Sequence, residues 1–148
     1  MASSTVHNSS FGGQYPVWVY EDTLTVATDE TTATATSRQT FKGTIEKVEI
    51  IPGTAMATSA TLQAYEANTD MTTPDYFLDY TFPESEAQVT FYPLKPCVNV
   101  GGNNTTVVVS YADGFPVCTK FVVCDQIKVD LASAAAADSV TIRIYVRG

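Results

Sequence analysis

The chain has 148 residues, of which 45% are hydrophobic and 16% charged, and a formal net charge of −8. That length suits one domain, which buries roughly 70% of its extended-chain surface and can fold without staples. The acidic balance argues against nucleic acid or an anionic membrane as the main partner, since both are bound chiefly through Lys and Arg.

The N-terminal MASSTVHNSSFGG has neither the basic start nor the apolar core of a signal peptide, so synthesis in the cytoplasm is expected. It buries little, and it carries the single histidine, His7. QYPVWVY follows, with the only tryptophan, Trp18. DTLTVAT then alternates Leu24 with Val26, and TDETTATATSRQT offers almost no large apolar group. Residues 14–40 therefore read either as two strands and a linker or as an extended arm lying on another subunit. The arm is the expectation adopted here, because a polar Thr/Ala stretch separates the aromatic segment from a more regular body.

From Phe41 the strand signal is steadier. FKGTIEKVEIIPG puts Val48 and Ile50 on one face and Lys47 and Glu49 on the other. Ile45 falls out of phase, which predicts a bulge. Pro52-Gly53 is a turn. ATLQAYE alternates Ala60, Leu62 and Ala64 inward with Thr61, Gln63 and Tyr65 outward. NTDMTTPD is a loop, YFLDYTF an aromatic strand stopped by Pro83, and AQVTFYP a strand with Val89 and Phe91 on one face. VGGNN is a turn, TTVVVSY a strand and ADGFP another turn. QIKVDL and VTIRIYV each alternate with period two, as half-buried strands do. ASAAAAD, too short for a stable helix, reads as a long hairpin loop between them.

No run approaches the ~20 apolar residues of a membrane span. Short strands with Gly/Pro/Asn punctuation and no convincing helix predict an all-β antiparallel sandwich of jelly-roll or immunoglobulin-like topology. The expected layout is an N-terminal arm over 1–40, partly extended or flexible, and a β-sandwich domain over 41–148.

The chemical inventory is thin. Histidine-based catalysis would rest on His7, which a loose terminus cannot hold against a third group. Cys97, Cys118 and Cys124 cannot all pair within one chain, and free buried thiols are expected, with a Cys118–Cys124 bridge as the alternative. Asp70, Asp75, Asp79, Glu84 and Glu86 straddle a strand and its flanking loops, which suits a solvated acidic rim better than a calcium loop or a glycosidase pair. No catalytic, cofactor-binding or metal-ligating residue is assigned, and a non-enzymatic role without cofactors is expected. Tyr65, Tyr76, Phe77, Tyr80 and Tyr145 suit cross-strand pairing, a subunit contact or a sugar platform.

The body from about Phe41 to Gly148 resembles the small β-sandwich decoration (cement) proteins of tailed-phage capsids. The likeness lies in the opening GTIEKVEI, the middle AQVTFYPLKP and the close CDQIKVDLASAAAADSVTIRIYVRG. A Ser/Thr/Gly-rich leader before a sandwich also suits proteins that lash capsomers together. The resemblance implies a virion protein on the capsid surface, made in the host cytoplasm. Its partners would be the major capsid protein and copies of itself, as a trimer by preference or a dimer, and neither nucleic acid nor membrane. On that reading QYPVWVY supplies the apolar anchor, with Tyr15, Trp18 and Tyr20 as the expected partner contacts. A carbohydrate-binding or adhesion module of a phage fibre and a self-assembling coat subunit are the alternatives.

Overall fold

A computed structural model describes residues 4–9, 17–57, 59–67, 74–83, 87–96, 106–107, 115–116 and 118–148. Among the described residues every regular element is a strand. The first seven are β1 (Ser4–Ser9), β2 (Val17–Thr25), β3 (Ala33–Thr36), β4 (Gly43–Pro52), β5 (Thr61–Glu66), β6 (Leu78–Thr81) and β7 (Val89–Phe91). The rest are β8 (Leu94–Pro96), β9 (Thr106–Val107), β10 (Phe115–Pro116), β11 (Cys118–Lys120), β12 (Val122–Val123), β13 (Ile127–Ala132) and β14 (Ser139–Arg147).

Two antiparallel sheets carry the fold. Sheet A runs β1-β2-β14-β4-β12, with β7 also on β4, and sheet B runs β3-β13-β5-β6. Two short ladders, β8 with β11 and β9 with β10, belong to neither. The alternating strands explain the arrangement. Val140, Ile142, Ile144 and Val146 of β14 are buried, as are Ile127, Val129 and Leu131 of β13, and all join one core. Each such side chain contributes about 1.5–3 kcal/mol when fully buried. The two most regular strands accordingly sit centrally, one in each sheet.

The out-of-phase Ile45 is accommodated as expected. β4 pairs Lys47 with Tyr145 and then Ile45 with Val146, so Glu46 is the extra residue of a bulge. The insertion keeps both Ile45 and Val48 inward. At the start of β4, Gly43 has φ +150°, and a Cβ there would lie 2.1 Å from the Arg147 carbonyl oxygen. Only glycine fits that approach.

Two expectations need correcting. Residues 17–36 are not an arm. β2 pairs with β14 from Val17↔Arg147 to Thr25↔Ser139, and Tyr20, Leu24 and Val26 are core residues. β3 pairs with β13 and buries Ala35. A boundary at residue 40 would therefore cut through both sheets. β1 pairs with β2 at the edge of sheet A, while residues 1–3 and 10–16 lie outside the described residues. ASAAAAD is likewise not a hairpin loop, because β13 and β14 belong to different sheets. The segment is a crossover in which Ser133 and Ala137 take positive φ. Asp138 closes it, accepting from the Ala135 N–H at 2.8 Å.

Of the expected strand TTVVVSY, Thr106–Val107 is described as β9, and the rest lies outside the described residues together with VGGNN. Asp70, Glu84, Glu86 and Cys97 also fall outside.

Candidate functional site

The outer face of sheet A is closed by its own polar side chains. Tyr145 donates to Glu49 at 2.8 Å. Lys47 donates to the same carboxylate at 2.8 Å and sits 4.1 Å above the Tyr145 ring centre. Arg143 bonds Glu21 and reaches toward Glu49 at 3.9 Å. Burial works against ionisation of Glu49, but Lys47, Tyr145 and Arg143 outweigh it and hold the carboxyl below its usual range. At the bulge, Lys120 donates to Glu46 at 2.6 Å, Thr44 donates at 3.0 Å, and Arg147 lies at 3.6 Å. The Lys120 bond is the main reason the Glu46 carboxyl is also held low.

Sheet B is closed in a similar way. Tyr65 donates to Asp130 at 2.6 Å, and Thr34 donates to the same carboxylate at 2.8 Å. Lys128 lies 5.7 Å from the Tyr65 ring centre, and Tyr76 packs edge-on against Tyr65 at 5.3 Å. Burial and the bond to Asp130 push the Tyr65 hydroxyl pKa up. Tyr65 and Tyr145 are thus held by their hydroxyls and flanked by lysines, which is not the bare ring face that a sugar platform needs.

One place breaks this pattern. Tyr92, Leu94 and Val122 are 70%, 55% and 63% exposed and are the exposed large apolar side chains among the described residues. Their position follows from the topology. β7 pairs with β4 at Val48–Ile50, and β12 pairs with it at Gly43–Thr44. Between those stretches the chain leaves β4 through Tyr92-Pro93, enters β8 and pairs with β11 instead. The gap is a groove of about 240 Å³, floored by Ile45, Glu46 and Lys47 and walled by Tyr92, Pro93, Leu94 and Lys120. Val122 lies two residues beyond Lys120, at the start of β12.

The three expected contacts are not brought together. Trp18 is half-buried and packs on the core, beside a cavity of about 90 Å³ that it shares with Gln39, Thr40, Phe41 and Lys42. Tyr20 is corrected outright. It is fully buried, its ring lies 6.0 Å from that of Phe41, and its hydroxyl donates to Asp22 at 2.8 Å. A ring with no exposed surface offers nothing to a partner. Tyr15 lies outside the described residues. The corner of Tyr92, Leu94 and Val122 escapes sequence reasoning because the strand reading of AQVTFYP stops at Pro93 and leaves Leu94 unassigned. The available signal is Pro93 between two large apolar residues, a place where a strand must leave its sheet.

Among the described residues, no group of three or more His, Cys, Asp or Glu side chains is placed to hold a metal ion. Cys124 is an exposed free thiol, against the expectation that it is buried. No protein-family model, curated protein or solved structure matches the chain.

Proposed function

We propose that the chain is a virion structural protein that binds the outer surface of a tailed-phage capsid and stabilises the shell by bridging capsomers. It acts by binding rather than by turnover. Its partners are the major capsid protein and copies of itself, as a trimer at three-fold positions or a dimer across two-fold positions. The single observation that carries the reading is the apolar corner of Tyr92, Leu94 and Val122. Exposed apolar side chains with a polar rim mark protein contacts, and both broad faces are occupied by internal pairs. The sandwich is read as jelly-roll-like, in keeping with β2/β3, β4/β5 and β13/β14 alternating between the sheets.

The resemblance in GTIEKVEI, AQVTFYPLKP and the last two strands supplies the capsid as the partner. Packaged DNA presses outward on a shell. A ligand selective for the expanded lattice stabilises it by mass action, and several weak contacts per oligomer add through avidity. The test is co-sedimentation of the purified chain with mature heads and with unexpanded precursor shells of the phage that encodes it. Saturable binding to mature heads, reduced by Leu94→Ser, is expected. Absence of binding to either particle rejects the proposal.

A further inference from the structure

One end of sheet B is an open strand edge. Among the described residues β3 pairs with β13 alone. It consists of Ala33, Thr34, Ala35 and Thr36, with none of the charges, prolines or bulges that blunt an edge. At the opposite end of the sheet, β6 carries the exposed Asp79. The Ser37 N–H donates to the Ile127 carbonyl at 2.8 Å, and the Thr31 carbonyl accepts from the Ala134 N–H at 3.0 Å. Odd-numbered residues of this stretch therefore face β13. Alternation along an antiparallel ladder turns the N–H and C=O groups of Thr34 and Thr36 outward, away from the sheet. Opposite charges flank the strand, Glu30 before it and Arg38 after it, both exposed. Among the described residues neither of these side chains has a hydrogen bond or ion pair, and Arg38 acts on the buried Asp22 only through its charge.

We infer that β3 is the self-association edge of the chain, pairing antiparallel with β3 of a second copy across a two-fold axis so that the two copies of sheet B become one continuous sheet. The outward-facing residues set the register. Thr34 stands opposite Thr34 of the second copy and exchanges both backbone bonds with it. Thr32 then meets Thr36, and the same count puts Arg38 opposite Glu30 at each end. A two-fold contact must be self-complementary, and an antiparallel strand flanked by opposite charges meets that condition. The charge pairs select a second copy over an arbitrary strand. They also offset, locally, the repulsion between copies of a chain of net charge −8. β3 and β6 end sheet B on opposite sides, and Tyr80 of β6 lies 5.2 Å, ring to ring, from Phe91 of β7. The dimer thus leaves the Tyr92–Leu94–Val122 corner of each copy on its far sides. Joined to the capsid reading, that makes a two-headed clamp whose contacts add through avidity; the pairing of β3 itself stands without that reading.

Sedimentation velocity over a concentration series up to about 1 mM measures self-association, with far-UV circular dichroism melts as the fold control. Hydrogen exchange, read residue by residue, reports which backbone is covered. The wild type is expected to dimerise, with the Thr34 and Thr36 amides exchanging more slowly as concentration rises. Thr34→Pro removes the central outward N–H, which takes no part in the ladder to β13, and should abolish the dimer. Arg38→Glu and Glu30→Arg each turn two cross-strand attractions per dimer into repulsions and should weaken it about tenfold. Both changes in one chain restore the two pairs and should recover the wild-type affinity. This charge swap keeps the test intact should Thr34→Pro unfold. A wild type that stays monomeric or forms a trimer, a dimer whose Thr34 and Thr36 amides exchange freely, or a double variant no tighter than either single one overturns the inference. A dimer that ignores phage heads supports it while removing the capsid proposal; a monomer that binds heads does the reverse.

Discussion

Asp22 occupies a core position. It lies between Tyr20 and Leu24 on the inward face of β2 and is 1% exposed, with Ile142 opposite it on β14. Tyr20 donates to one carboxylate oxygen at 2.8 Å, and the Thr23 N–H donates to the other at 2.9 Å. Burial raises the carboxyl pKa; these two bonds and the charge of Arg38 offset only part of that. The folded state therefore takes up a proton at higher pH than the unfolded chain does. The contribution of Asp22 to stability is fullest below the unfolded carboxylate value and declines as pH rises through the folded one. At neutral pH a buried negative charge persists as a cost.

Asp22→Asn removes that charge and keeps the shape. The amide oxygen can accept from Thr23, and the amide nitrogen can donate to the Tyr20 oxygen. The variant should match or exceed the wild type at pH 7, and its advantage should vanish toward pH 4. Tyr20→Phe deletes a bond to a charged group, which costs about 1.5–3 kcal/mol, whereas in the Asp22→Asn background it deletes a neutral bond at about 0.5–1.5 kcal/mol. The double-mutant cycle should thus return a coupling of roughly 1–1.5 kcal/mol. For a chain of this size, Tyr20→Phe alone lowers Tm by roughly 3–12 °C. Urea unfolding followed by fluorescence of the single tryptophan, Trp18, measures all four proteins between pH 4 and 7. Glu46 and Glu49, whose carboxyls are held low, contribute stability that is lost as pH falls, the opposite sign, so the informative quantity is wild type minus Asp22→Asn. A loss above about 1 kcal/mol for Asp22→Asn at pH 7, or parallel pH slopes in the two proteins, would refute the reasoning.

Gly43→Ala should cost about 2–5 kcal/mol, from the 2.1 Å approach of its Cβ to the Arg147 carbonyl and a φ of +150°; thermal melts check it. Ile144→Ala, at the centre of β14 with no exposed surface, should cost about 2–5 kcal/mol in urea, whereas Val122→Ser at the exposed corner should stay within about 0.5 kcal/mol. Ala137→Gly should be slightly stabilising in the same assay. It relieves roughly 1–2 kcal/mol of left-handed strain at φ 66° against roughly 0.5–1 kcal/mol of added chain entropy.

The all-β class and the strands β4, β5, β13 and β14 are legible because alternation reports directly which side chains are hidden. Even the bulge at Glu46 can be read, since Ile45 and Val48 cannot both face inward without an extra residue. β2 is obscured because Asp22 stands where an apolar residue should, interrupting the run from Tyr20 to Leu24. β3 is obscured because its inward residue is only Ala35. Both gain their place from pairing with the central strands β14 and β13, a tertiary effect that no local pattern carries.

The same limit explains why sequence reasoning points to the wrong segment for the candidate site. Alternation says that a residue faces inward or outward, but not which sheet it belongs to or where a sheet ends. Tyr20 reads as available because an aromatic-rich segment near the terminus could lie on a neighbour, yet its hydroxyl satisfies a buried carboxylate. Tyr92 reads as the last residue of the AQVTFYP strand and Leu94 goes unread, yet Pro93 turns the chain away from β4, which β7 follows only over Val48–Ile50, and onto β11. Sheet ends are where a sandwich has backbone and apolar surface left to offer. In this chain the β6 end of sheet B and the β7 edge of sheet A come together, with Tyr80 and Phe91 5.2 Å apart ring to ring, so adhesion is best sought at that shared edge.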